Sequence, residues 1–598
     1  MKNFPYRALC LILTLTVRTC VPLPVPAQTD TQMKAILVFS GASAEEDLDA
    51  EEVERYLHYL SHPLEINFAG LSRLISSGLM SRYQAASLED YRASTGDILS
   101  LTELSYVDGF DPEYAALLKP FISFRSRSLP GERPDSTLYR QEIVSKAAVR
   151  KDEYNYGLKT KASFKDLAEA SFACRKTYSD KGNLPPPSSL SFNVTLNGRR
   201  YPWRVMAGDY NLRYGQGLAL WSGMSLGGFS SSSSFQKRPA GLSPSYSWSG
   251  IGSHRGLAAD FQAGRFIFSA FTSCPSLKER GLVNILAGGN IGWAGKDGQA
   301  SLSAYGIMGE EPGGKVSGDI RWNIRGLVLF GETALDLHSG SLAADAGATM
   351  PLGEGWRANC VLRRYPADFS DEYSGGVSSW GRTSDERGAA LGIERYGACL
   401  TGDYASKEAD RSVRQLKVLL KVPVQLSGTS VLTVRLTERF RGYEDYLKYR
   451  TGARIDLDWS EKGLSARYGE AEGDTWKGRA RVEGLLFRAF SGLGYLEFGR
   501  KASHYSAYLR GTMFFVDNWD DRIYSYERDA PGNYNVPAYY GRGYSLSALS
   551  GCSTRIGDRK KKTLKAWFRV SYIGYPFMDS SLRKPGRIEA KLQLMASL

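Results

Sequence analysis

From about residue 121 to its end the chain alternates apolar and polar residues with a period of two, the spacing of strands that present one apolar and one polar face. Leu190, Phe192, Val194 and Leu196 alternate with Ser191, Asn193 and Thr195, Asn197-Gly198 supplies a turn, and Tyr201, Trp203 and Val205 resume the pattern. The same grammar recurs at Leu416, Val418, Leu420, Val422, Val424 and Leu426, then a Ser427-Gly428 turn, then Leu432, Val434 and Leu436. It returns at Leu564, Ala566, Phe568, Val570 and Tyr572, and again from Ile588 to Leu598. The second face carries charge, as at Lys417, Lys421, Lys565 and Arg569, so it cannot be the core of a sandwich. A closed cylinder resolves the conflict, because lipid covers its outer apolar band, its lumen is polar, and its backbone hydrogen bonds leave no edge. The pattern therefore predicts a large antiparallel transmembrane β-barrel over residues 122–598, with about 20–24 strands at roughly ten residues per crossing. A secreted soluble all-β protein is the alternative, although blade-like repeats are not evident.

The preceding segment has helical spacing. Val53, Tyr56, Leu57 and Leu60 predict a helix starting near Ser43, where Ser43 and Glu46 form a capping box, and ending at Ser61-His62-Pro63. Leu71, Leu74 and Ile75, then Leu88 and Tyr91 after Gly78, and finally Leu117-Leu118 before Pro120 mark further short helices. Residues 41–121 thus read as a small all-α domain.

Charge separates the two regions. Residues 41–120 hold 15 acidic and 5 basic side chains, a net −10, whereas residues 121–598 carry a net +20. The whole chain of 598 residues stands at +13 with 35 Tyr, 25 Phe and 63 Gly, a composition suited to β-structure with many turns. At the start, Lys2 and Arg7, the apolar run Ala8 to Val17 and the small residues Val25-Pro26-Ala27 read as a signal peptide over 1–27. The cysteines that follow, Cys174, Cys274, Cys360, Cys399 and Cys552, are scattered and form no disulfide framework. His58 and His62 have the spacing of two ligands on one helix face, but no acidic partner completes a metal motif. No cofactor, metal site or catalytic residue is expected.

Residues 64–121 resemble the tandem helix-hairpin-helix module of ComEA-type competence proteins. The resemblance rests on Glu65-Ile66-Asn67-Phe68-Ala69, on Tyr91-Arg92 before Gly96, on Leu99-Ser100-Leu101-Thr102-Glu103-Leu104, and on Val107-Asp108-Gly109-Phe110. Joined to a barrel, the arrangement is similar to a largely uncharacterised family of helix-hairpin-helix outer-membrane proteins of diderm bacteria. Two further stretches carry that similarity: Gly208 to Gly217, and Arg522-Ile523-Tyr524-Ser525-Tyr526-Glu527 with Pro537-Ala538-Tyr539-Tyr540-Gly541. The resemblance implies a periplasmic helical domain whose hairpins, Gly78-Leu79-Met80 and Gly109-Phe110-Asp111, bind DNA or a protein partner. Met80 stands where a second glycine is expected, and Asp111 puts a carboxylate where phosphate would approach. With the domain at −10, nucleic acid is disfavoured and a periplasmic protein partner is preferred.

Two motifs are decoys. Gly309 to Val316 approaches a phosphate loop but lacks its Ser or Thr, and Gly223-Met224-Ser225-Leu226-Gly227 lacks the strand and helix of a nucleophile elbow. Residues 210–252 and 517–542 interrupt the alternation. The first reads as a luminal plug or a long external loop; the second, with Asp517, Asp520, Asp521 and Asp529, reads as a solvated loop in preference to one that binds a ligand or calcium. The expected function is translocation or assembly across the bacterial outer membrane, without chemistry, of anionic cargo such as DNA; a non-conducting scaffold is the competitor.

Overall fold

The computed structural model describes residues 31–126 and 139–598, apart from 43, 152, 165–166, 179–186, 199–201, 224–228, 230, 249–251, 275–283, 310–311, 464–473, 557–561 and 579–583. The signal peptide, Ser43 of the capping box and most of the Gly223–Gly227 motif lie outside the described residues. Antiparallel strands joined to their sequence neighbours close into a barrel, running from Arg140–Arg150 to Arg587–Ser597, and these two ends pair with each other. The closed sheet holds 24 wall strands and one short addition, Gly241–Pro244, which pairs with the upper end of Trp203–Arg213. The barrel is of the predicted class and at the upper end of the predicted size. Leu598 extends the closing seam, donating its N–H to the Gln141 carbonyl at 2.8 Å and accepting from the Gln141 N–H at 3.2 Å.

The alternation sorts side chains as anticipated. On Ser189–Asn197, Phe192, Val194 and Leu196 are exposed outward while Ser191, Asn193 and Thr195 are buried inward. The strands predicted around residues 416–436, 564–572 and 588–598 form as Arg414–Ser427, Ser430–Gly442, Lys562–Gly574 and Arg587–Ser597. Outward residues make an apolar belt that includes Leu391, Leu496 and Leu509, each about two-thirds exposed. Trp203, Trp293, Trp322 and Trp459 ring one rim, with Trp293 and Trp322 stacked at 5.8 Å, as aromatic residues do where lipid meets water. At that rim the connections are five residues or shorter except 463–474, whereas the opposite rim carries 214–253, 366–385 and 517–540. With an even number of strands, both ends of the wall lie at the short-turn rim.

Before the wall come α1 (Thr31–Ser40), α2 (Ala50–Ser61), α3 (Leu71–Ser76), α4 (Arg82–Thr95), α5 (Leu101–Leu104) and α6 (Pro112–Leu118). The helix α1 was not foreseen. The first predicted helix also starts later than expected: Asp49 caps α2, its side chain accepting from Glu51 N–H at 3.1 Å, and Glu45 to Asp47 form a separate 3-10 turn. The helical domain sits inside the barrel, against inward wall side chains.

An arginine placed in the belt must lie in hydrocarbon. Leu496→Arg is expected to destabilise the barrel by about 2–4 kcal/mol in a bilayer, read as a lower urea midpoint by heat-modifiable gel mobility.

Candidate functional site

The helical domain is organised around Asn67. Its amide donates to the carbonyls of Ile98 at 2.8 Å and Arg125 at 2.9 Å and accepts from Ile98 N–H at 2.9 Å, tying the entry segment to both helix pairs. Arg92 adds hydrogen bonds to the Ile66 and Ala69 carbonyls at 3.0 and 2.9 Å. Leu64–Glu65 pairs in parallel with Ile122–Ser123, so the domain closes before the chain enters the wall. Around this frame Ile66, Leu74, Leu79, Ile98, Leu118 and Phe121 form a dry core.

The six residues singled out from sequence fall into two groups. Gly78, Leu79 and Met80 join α3 to α4; Gly78 has φ +72°, and Leu79 and Met80 are buried in the core. Helix α4 follows with Ser81 and Gln84 in a reciprocal capping box, and its first turn faces the wall. Tyr83 N–H donates to Gln299 at 3.1 Å, the Arg82 guanidinium to Asn290 at 3.3 Å, and Asn323 to the Tyr83 hydroxyl at 3.2 Å. This hairpin is therefore covered by the barrel. Gly109 and Phe110 join α5 to α6. Gly109 has φ +87° and a Cβ there would lie 2.5 Å from the Tyr83 ring, so only glycine fits; Phe110 is buried. Asp111 caps α6, accepting from Tyr114 N–H at 2.7 Å, and its outer oxygen meets exposed Arg357 at 3.2 Å.

The domain's carboxylates point at the cations of the wall. Glu45 accepts from Arg479 at 2.7 Å, and Glu46 from Arg454 at 3.0 Å and Arg481 at 2.5 Å. The same arginines are buttressed by Asp456 and Asp458 of the wall strand Leu447–Lys462. Burial alone would raise the Glu46 carboxyl, but the charge of Arg454 and hydrogen bonds, including Tyr526 N–H, outweigh it and hold the group below the usual carboxylate range. Along α2, Glu51 accepts from Asn211 at 2.6 Å, Glu52 from Arg213 at 2.8 Å, and Glu54 pairs with Lys159. Further down, Ser76 accepts from Arg204 at 3.0 Å and Ser72 donates to Asp260 at 3.0 Å. At the short-turn rim Arg265 meets Asp90 at 3.2 Å, an exposed pair of little energetic weight. The buried pairs matter more, because removing one partner leaves the other charge stranded out of water.

Both interruptions of the alternation send described residues into the lumen. In the first, Gly215 and Gly217 turn the chain inward with φ +58° and +88°, and Glu332 of the wall accepts from Gln216 N–H at 2.6 Å and Leu218 N–H at 3.0 Å. Phe229 and Phe235 then pack on Phe330, Val361 and Ala390, so these described residues of the segment lie against inward wall side chains. In the second, Asp521 accepts from the backbone N–H groups of Arg488 and Ala489 at 3.1 and 3.0 Å, while Asp529 pairs with Lys591 at 2.9 Å. Its carboxylates diverge: the side chains of Asp521 and Asp529 are buried, whereas Asp517 and Asp520 at its start are exposed. Tyr526 N–H donates to Glu46 at 3.1 Å, and the Tyr534 hydroxyl donates to the Glu45 carbonyl. The stretches Gly208–Gly217 and Arg522–Glu527 thus supply Asn211, Arg213 and Tyr526, which grip the helical domain. Of the decoys, Gly313–Ile324 is a strand, and Lys315 is spent on the Ser370 carbonyl and the Ser374 hydroxyl, each at 2.6 Å.

His58 and His62 stack at 4.9 Å on α2, and His58 Nε2 lies 3.0 Å from Lys161 Nζ. Burial, reinforced by Lys161, lowers both, His58 well below its ordinary value and His62 to about 4. Among the described residues no three His, Cys, Asp or Glu side chains gather to hold a metal.

No protein-family model and no curated protein matches the chain. Among solved structures, the siderophore receptor PirA from Pseudomonas aeruginosa is similar at 10% identity over 78% of this chain and 81% of that one, with a TM-score of 0.36. The P pilus usher (PapC) translocation pore shares 10% identity over 77% of this chain and 99% of that one, with a TM-score of 0.32. Pseudomonas aeruginosa OccK3 (OpdO) shares 10% over 77% and 95%, with a TM-score of 0.27. Likenesses this distant assign no activity; the barrel is established by its own strand pairing.

Two outcomes follow from the interface. Glu46→Gln leaves Arg454 and Arg481 undercompensated and is expected to loosen the seated domain by about 3 kcal/mol, seen as faster amide hydrogen exchange across residues 31–126. Because both histidines are neutral when seated and titrate near 6.5 when released, seating weakens as pH falls from about 6.5 toward 4. Exchange measured against pH should show this slope, and His58→Leu/His62→Leu should flatten it.

Proposed function

We propose that the chain is an outer-membrane translocation barrel held shut by its own helical domain. The apolar belt and aromatic rim suit a bilayer, and short turns at one end with long loops at the other match the periplasmic and external ends of such barrels. That orientation puts the tether of the helical domain at the periplasmic rim, so the domain enters the lumen from the periplasm. The observation that carries the reading is the meeting of Glu45, Glu46 and Glu52 with Arg479, Arg454, Arg481 and Arg213. A net −10 domain seated on the cations of a basic lumen occupies the place that anionic cargo would take.

The module keeps the helix pairs and glycine turns of the ComEA-type resemblance, but Gly78–Met80 is turned to the wall. Of the two hairpins, Gly109–Asp111 is the more accessible, and near it Leu99 and Tyr106 are exposed, Tyr106 by 79%. An exposed aromatic among carboxylates favours a basic periplasmic protein over DNA. The filled lumen also suits the second reading, a non-conducting scaffold.

Planar-bilayer recording separates the two. Full-length protein is expected to pass little current, and Glu45→Gln/Glu46→Gln/Glu52→Gln to raise it several-fold with anion preference, because Arg213, Arg454, Arg479 and Arg481 lose counter-charge that the helical domain supplies. If both proteins are silent while the barrel remains folded, the scaffold reading stands instead.

A further inference from the structure

Beside the closing seam, the lumen keeps a cavity of about 300 Å³ that the helical domain does not fill. Lys146, Arg175, Arg569 and Lys591 line it from the wall, Trp248 from the plug segment and Asp529 from the opposite loop. Lys591 is balanced by Asp529 at 2.9 Å and Glu589 at 3.3 Å. Arg569 is also paired, with Glu527 through one terminal nitrogen and with Glu589 at 3.4 Å through the other, but among the described residues its buried Nε has no acceptor. Among the described residues Arg175 Nε is buried without an acceptor as well, and neither Arg175 nor Lys146 has a carboxylate within 4 Å.

Trp248 gives a second, independent sign. It is 8% exposed, its ring packs with Val144, Ala173 and Met595, and among the described residues its Nε1–H has no acceptor. Lys146 Nζ lies 3.7 Å from the ring centroid. Gly157 makes room for this arrangement, since a Cβ there would fall 2.9 Å from both Lys146 Cε and Trp248 Cζ3. Buried donors left without acceptors carry a free-energy cost, and a cluster of them around open space is what an anion would satisfy.

We infer that this cavity binds a small oxyanion-bearing ligand, a carboxylate or a phosphate, through Lys146, Arg175 and the N–H groups of Trp248 and Arg569. The two cations supply charge-assisted hydrogen bonds, and the indole and the Arg569 Nε fix orientation. No described residue of the helical domain lines the site, so its occupancy is a separate question from whether the barrel conducts.

The test is calorimetric titration of the purified full-length protein in non-ionic detergent at low ionic strength, with inorganic phosphate and separately with glucuronate. Saturable binding of at least one is expected, weakened at least about tenfold in Lys146→Met/Arg175→Met, as the loss of one charge-assisted hydrogen bond would predict. Trp248→Phe keeps the ring packing but removes the donor, and should weaken binding several-fold even if the double variant fails to close its barrel. Binding of phosphate alone assigns the site to phosphorylated ligands, and of glucuronate alone to carboxylated ones. Absence of saturation with either anion, or unchanged affinity in folded variants, overturns the assignment.

Discussion

A buried guanidinium must find negative charge, and in this molecule the requirement shapes the whole interior. A cylinder of 24 strands encloses more space than its own inward side chains can fill. Its inner wall is studded with arginines such as Arg204, Arg213, Arg363, Arg481 and Arg569, all buried. Some are answered within the wall, as Arg363 is by Glu386 at 2.5 Å and Asp403 at 2.8 Å. Others share their charge with the helical domain: Arg479 and Arg481 pair with Glu45 and Glu46 as well as with Asp458 and Asp456 of the wall, and Arg213 pairs with Glu52. Shape alone would accept many fillers; charge selects an acidic one and fixes its register.

The wall was legible in sequence because strand alternation is local. Phe192 and Asn193 announce their faces without reference to any distant residue, and Ile588 to Leu598 does the same at the seam. Helix boundaries were less so. The Thr31–Ser40 helix has no polar face to mark its period, since Ala35, Ile36 and Phe39 are buried in the domain core. Ser43 with Glu46 looks like a cap, but Glu46 is drawn away to Arg454 and Arg481, and Asp49 takes over the capping role. The seating of the domain depends on pairs more than 400 residues apart, such as Glu45 with Arg479. No window of sequence contains both partners. The opposite signs of the two regions were visible and pointed toward an anion in the lumen; the nearest such anion proved to be another part of the same chain.

The glycine-rich stretch Gly208–Gly217 illustrates why a motif can be recognised before it is understood. Asp209, fully buried, accepts from Phe192 N–H at 3.0 Å and from Arg255 through both oxygens at 2.8 Å, locking the strand next to Gly208, which has φ +105°. The strand then delivers Asn211 and Arg213 to α2, and the two following glycines send the chain across the lumen. Each residue acts on something far away in sequence, so composition marks the stretch as unusual without saying why.

The seam has a bearing on biogenesis. Residues 31–126 precede every wall strand, yet the cradle that receives them is complete only when Arg587–Ser597, the last strand, finds Arg140–Arg150, the first. The domain that emerges earliest from synthesis is thus the one whose final position is defined latest. Until circumference and filler come together, Arg454, Arg479 and Arg481 lack half of their counter-charge, which ties ring closure to capture of the domain as one cooperative event in maturation.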